Sequence, residues 1–159
     1  MKKGQETTSP SRSGTVRGGH TAAARAISFE SIDGVFRSVG QKLREGLSGD
    51  AEKILVKTIE GYDHTPDNLA NLKRLLSFTL ETIGRYNESL ETIKPFADDA
   101  NLSQLKIETQ VRVTTQLAIS YSNTGDQPKA ITLLKENRTR ADENELKHLI
   151  GTIEIALAR

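Results

Sequence analysis

Apolar positions become periodic from Ile27 onward and stay so almost to the end of the chain. Phe29, Ile32, Phe36, Val39, Leu43 and Leu47 recur every three or four residues, which predicts an amphipathic helix. Gly34, Gly40 and Gly46 interrupt it, and each costs about 1 kcal/mol against alanine in a helix interior. Gly49-Asp50 reads as a turn and cap, followed by a short helix with Ile54, Leu55 and Ile59 that Gly61 closes. Thr65-Pro66 opens the next helix, a capping residue followed by proline where a missing N–H costs little. Leu69, Leu72, Leu76, Leu80 and Ile83 form its apolar stripe, up to Gly84. Tyr86, Leu90 and Ile93 line another short helix; Pro95 stops it or lies just beyond its end. The segment Ala97–Leu105 starts polar and predicts a longer connection or lengthened helices.

The next stretch, Leu117–Leu134, reads as helix, tight turn, helix. Leu117, Ala118 and Tyr121 share one helix face, and Gly125 follows where a helix end needs left-handed backbone angles. Asp126 is placed to cap the second helix, with Pro128 in its first turn and Ala130, Ile131 and Leu134 as its stripe. Ala118 and Ala130 leave room for two backbones to approach, while Tyr121 and Leu134 fill the space beside them. Asp142 with Glu145 fits a capping box for a last helix carrying Leu146, Leu149, Ile150, Ile153 and Leu157.

The hairpin at Leu117, Ala118, Tyr121, Gly125, Ala130 and Leu134 resembles a tetratricopeptide repeat: small residue and aromatic, turn glycine, early alanine. It departs from that pattern at Thr114, usually a bulky aromatic, and at Asp142, often proline. The hairpin from Leu76 to Phe96 resembles it in turn. Ser77 and Ser89 stand at the small positions, Leu80 in place of the tyrosine, and Gly84 at the bend. Gly84 and Gly125 lie 41 residues apart, longer than the roughly 34-residue unit. Gly49, 35 residues before Gly84, marks a third, degenerate unit. The resemblance implies an all-α fold of antiparallel hairpins stacked as a right-handed α-solenoid over residues 26–159. Its units would span about 35–67, 70–103 and 111–144, with a terminal or truncated helix at 143–158.

Composition narrows the picture. The chain has 159 residues, no cysteine and no tryptophan. That excludes a disulfide framework and cysteine-ligated zinc, and fits a reducing, cytoplasmic setting. No apolar run reaches the roughly 18 residues of a membrane helix, and the first residues lack the apolar core of a secretory signal. Net charge is +1 overall, but residues 1–25 hold Lys2, Lys3, Arg12, Arg17 and Arg25 against Glu6 alone. That segment, rich in Ser, Thr and Gly, reads as a disordered basic tail. The alternatives for it are a basic arm on nucleic acid or acidic membrane, or a targeting peptide.

Catalytic chemistry finds little to work with. His20, His64 and His148 sit in different segments, and the cluster Asp63, His64 and Asp67 reads as a solvated turn with an acidic helix start rather than a metal site. Asp98-Asp99 reads as a polar linker, and no glycine pattern encodes a phosphate cradle. The expectation is a non-enzyme without cofactors or metal. By resemblance, the first helix of each unit lines a concave groove. Its groove-facing positions would be Asn71, Arg74, Phe78 and Glu81 in one unit, and Arg112, Gln116, Ile119 and Asn123 in the next. Such a mixture suits a peptide with main-chain amides and an acidic side chain. Arg74 is followed one turn later by Phe78 rather than asparagine, which disfavours a clamp for a chaperone's C-terminal tail. The expected function is a module that binds a protein or peptide partner. The alternatives are part of a nucleic-acid-associated regulator, or a piece of a larger multidomain signalling protein or enzyme.

Overall fold

A computed structural model describes Arg25, Ala26 and residues 29–159. The basic tail expected over residues 1–25 lies outside the described residues except for Arg25. Arg25-Ala26 (β1) pairs in parallel with Tyr62-Asp63 (β2). All other regular structure among the described residues is helical: α1 Phe29–Arg44, α2 Ser48–Gly61, α3 Pro66–Thr82, α4 Tyr86–Ile93, a 3-10 turn Lys94–Ala97, α5 Asp99–Leu102, α6 Ile107–Asn123, α7 Gln127–Glu143 and α8 Lys147–Leu157. The all-α expectation therefore holds.

Side-chain caps start several of these helices where the sequence placed them. The Thr65 hydroxyl accepts from the Asn68 N–H, with Pro66 in the first turn of α3. The Asp126 carboxylate accepts from the Lys129 N–H at the start of α7. Asp98, expected in a linker, caps the short α5 by accepting from the Ala100 N–H.

One turn geometry joins four pairs of helices. Past α3, Gly84 adopts φ +77. Its N–H donates to Glu81 O at 3.0 Å, and the next N–H, of Arg85, donates to Leu80 O at 2.9 Å. This pair of bonds satisfies carbonyls that the helix end leaves open. The same two bonds recur at Gly46 with Leu47, at Gly125 with Asp126, and at Glu145 with Leu146. The first bend therefore falls at Gly46, φ +76, and not at Gly49, which lies inside α2. The last corrects the expected capping box. Asp142 belongs to the final turn of α7, and Glu145, φ +57, is the left-handed residue of the bend. The first helix residue of α8 is Lys147, with no side-chain cap before it.

Packing follows chain order. Helix α3 contacts α2, α4 and α6; α6 contacts α4, α7 and α8; α7 contacts α8. Two apolar clusters result. One gathers Ile32, Val39, Ala51, Leu55 and Leu72 from α1, α2 and α3. The other runs from Ala70 through Ile93, Leu117 and Ala118 to Leu149 and Ile153. Leu102 and Leu105 belong to it, so the long connection is anchored by its own apolar residues.

Small side chains set the closest approaches. Ser77 of α3, Ser89 of α4 and Ser120 of α6 are fully buried. Their hydroxyls form a triangle, Ser77–Ser89 at 2.7 Å, Ser89–Ser120 at 3.0 Å and Ser77–Ser120 at 3.3 Å. One Glu81 oxygen accepts from Ser120 at 2.7 Å and from Ser89 at 3.0 Å. Leu80, Leu117, Ala118, Tyr121, Ala130 and Leu134 are likewise buried, and Leu76 is half-buried. Between α6 and α7, Asn137 is buried and fully engaged: its amide donates to Val111 O and Thr115 Oγ1 and accepts from Thr114 Oγ1 at 2.7 Å. Thr114, where a bulky aromatic would be usual, thus holds the two helices by a hydrogen bond.

Two stability measurements check this packing. Ala130 is 1% exposed, so Ala130→Glu, which forces a charge between helices, should lower stability by about 3 kcal/mol or more; an unchanged thermal midpoint would contradict it. Glu145→Gly should raise stability by about 1 kcal/mol and Gly84→Ala lower it similarly, because a Cβ is disfavoured in the left-handed region. No atom lies within 4 Å of a Cβ built at Gly84, so only the backbone conformation is at issue there. Chemical denaturation of the two variants reads both signs, and the account fails if either is reversed.

Candidate functional site

Helix α6 contacts both α3 and α8, and the three helices line a small cleft. Its volume is about 80 Å³. Arg74 reaches it from α3; Val111, Arg112, Gln116 and Ile119 line it from α6; Leu149 and Thr152 close it from α8. Four of the eight groove positions expected from sequence, Arg74, Arg112, Gln116 and Ile119, are thereby brought together.

The other four lie elsewhere. The Asn71 amide donates to Asp67 O at 3.0 Å within its own helix. Glu81 accepts from the buried serines. Phe78 is 43% exposed on α3. Asn123 lines a larger, neighbouring cavity of about 460 Å³ with Ala118, Ala130 and Ile131, and Ile119 lines both cavities.

Charge in the cleft is unevenly matched. Arg112 donates through Nε and a terminal nitrogen to Glu108 Oε1, at 3.2 and 2.7 Å, one helical turn away. His148 of α8 makes a 3.1 Å contact with the same oxygen. Arg112, then His148, hold the Glu108 carboxyl below its ordinary range. Arg74 has no such neighbour: among the described residues, no carboxylate forms a salt bridge with it. Its Nε–H is buried without a hydrogen-bond acceptor, and so is the Gln116 side-chain nitrogen. Burial, and then the nearby Arg112 charge, lower the Arg74 pKa; an arginine so placed still carries its charge at neutral pH. Elsewhere Arg85 is met by Glu52 and Glu88, and Arg138 by Glu154.

The Asp63, His64 and Asp67 cluster does not converge. Asp63 sits in β2, His64 Nε2 donates to Thr58 O at 2.8 Å, and Asp67 accepts from the Lys106 N–H at 3.0 Å. Among the described residues, no three His, Cys, Asp or Glu side chains come together as a metal site, and no helix is long and apolar enough to cross a membrane. The unpaired state of Arg74 and Gln116 carries no sequence signal, since it depends on which side chains α6 and α8 fail to bring near. Comparison with protein-family models and with curated proteins finds no match to this chain.

The contact of Glu108 with Arg112 and His148 has a pH signature. A carboxyl with a lowered folded-state pKa adds stability above the ordinary glutamate range and loses it as pH falls through the lowered value. Glu108 is 45% exposed, so screening keeps its contribution at roughly 0.2–1 kcal/mol. Glu108→Gln should melt below wild type at neutral pH. The gap should close in acid and narrow in high salt. A gap that persists in acid would contradict the assignment.

Proposed function

We propose that this chain is a non-enzymatic interaction module, a short tetratricopeptide-like right-handed α-solenoid that holds a peptide or protein partner. The partner lies against the face built by α3, α6 and α8. Four features support the array: hairpins in chain order, one shared bend geometry, serine or alanine where backbones approach, and contact of α6 with both α3 and α8. The observation that carries the binding face is the convergence of Arg74, Arg112, Gln116 and Ile119 from two helices on one cleft. Exposed Phe78 adds apolar surface on the same helix as Arg74. The nucleic-acid reading draws on a basic tail almost wholly outside the described residues.

Position-dependent photo-cross-linking tests the proposal. A benzoylphenylalanine at Ile119 should capture a partner from cell extract, whereas one at Thr92, in a separate cleft between α2 and α4, should not. Equal capture from both positions, or none from Ile119, would contradict it.

A further inference from the structure

We infer that the cleft between α3, α6 and α8 is a receptor for a single carboxylate, that of an aspartate or glutamate side chain on the bound partner. This deepens the interaction-module reading and rests on it. The cleft presents two buried donors with no acceptor, Arg74 Nε–H and the Gln116 side-chain nitrogen. Gln116 is 5% exposed, and both nitrogens are closed to solvent as the side chains stand, so a carboxylate reaches them as the Arg74 and Gln116 side chains turn toward it in the cleft. Leaving buried donors open, one of them on a cation, is costly unless an acceptor arrives.

The charge balance specifies the acceptor. Glu108 already offsets Arg112, which leaves one uncompensated positive charge, on Arg74. One carboxylate cancels it; a phosphate monoester, at about −1.5 to −2, overshoots. Volume agrees: about 80 Å³ has room for a carboxylate group. Apolar groups from Val111, Ile119 and Leu149 line the same space, which suits the methylene stem of an acidic side chain. Ile119 also borders the larger cavity beside Asn123. A chain whose side chain enters the first cavity thus has room to run on past the second.

The structure also implies a cost in the free protein. Arg74 is half-buried, and its closed-off, unpaired Nε–H destabilises the fold relative to an apolar residue of similar length. Arg74→Met should therefore melt a few degrees higher than wild type while losing the carboxylate.

The test uses the full chain and blocked amino acids as probes. N-acetyl-glutamate amide should shift the Arg74 Nε–H and Gln116 side-chain NMR signals saturably. N-acetyl-glutamine amide should bind about tenfold more weakly or worse, the loss expected for one charge-assisted hydrogen bond. In Arg74→Met the response should vanish. Gln116→Leu should weaken it, and this variant decides the matter if Arg74→Met fails to fold. No saturable shift, equal binding of the glutamine probe, or unchanged binding by the variants would overturn the inference. So would tighter binding of inorganic phosphate or of N-acetyl-alanine, which carries a chain-end carboxylate. The probe needs no partner protein, so its failure is distinct from failed cross-linking at Ile119, which would sink the module reading.

Discussion

Helix α3 is the wall between two cores, and the rest of the molecule depends on how closely its neighbours approach it. Leu72 faces the cluster built with α1 and α2, while Ala70 joins the one that runs through α6 to α8. Ser77 sits where α4 and α6 both close on it. The Ser89 and Ser120 hydroxyls donate to the Glu81 carboxylate, and the Ser77 hydroxyl is left to donate to one of those two serine oxygens. Had these positions been leucine, the helices would stand farther apart, because a packed core does not absorb extra methylenes without strain. Each hydroxyl also needs its acceptor here, Glu81 for Ser89 and Ser120 and a serine oxygen for Ser77, since a buried donor left alone costs about 1–3 kcal/mol. Spacing and orientation of the three helices are thus fixed together.

That spacing carries through to the cleft. Arg74 lies one helical turn before Ser77 on α3, and Gln116 one turn before Ser120 on α6. When the serines meet, the residues a turn earlier are brought opposite one another. Helix α6 is buried on most sides, held by α7 through Asn137 and by α8 through Leu149 and Ile153. On the side toward Arg74, its Gln116 side-chain nitrogen remains unmatched. Stability and the proposed binding face come from opposite treatments of polarity: complete pairing at the serine and asparagine networks, and incomplete pairing in the cleft.

Much of this was legible in the residues, because turn and cap chemistry is local. Gly84, Gly125, Thr65 and Asp126 do what their positions predict. Gly46 misled because it continues an apolar stripe in which Leu47 looks like a further helical position; in the structure Leu47 is the residue after the bend. Glu145 misled because a glutamate three residues after an aspartate satisfies the capping-box pattern, whereas the backbone there turns left-handed without glycine. The repeat resemblance puts Glu81 at a groove position, yet its carboxylate is drawn to Ser89 and Ser120, partners 8 and 39 residues away. Pairing that distant has no local signature. The meeting of Arg74 with Arg112, Gln116 and Ile119 was expected from the repeat resemblance; the missing counter-charge emerged only in three dimensions.

The central claim is that serine-sized contact at the α3–α4–α6 junction holds these helices in register. Amide hydrogen exchange on Ser77→Leu against wild type tests it most directly. The account predicts faster exchange along the facing turns of α3, α4 and α6, with protection in the α7–α8 hairpin largely kept. Unchanged protection across α3 and α6 would contradict it.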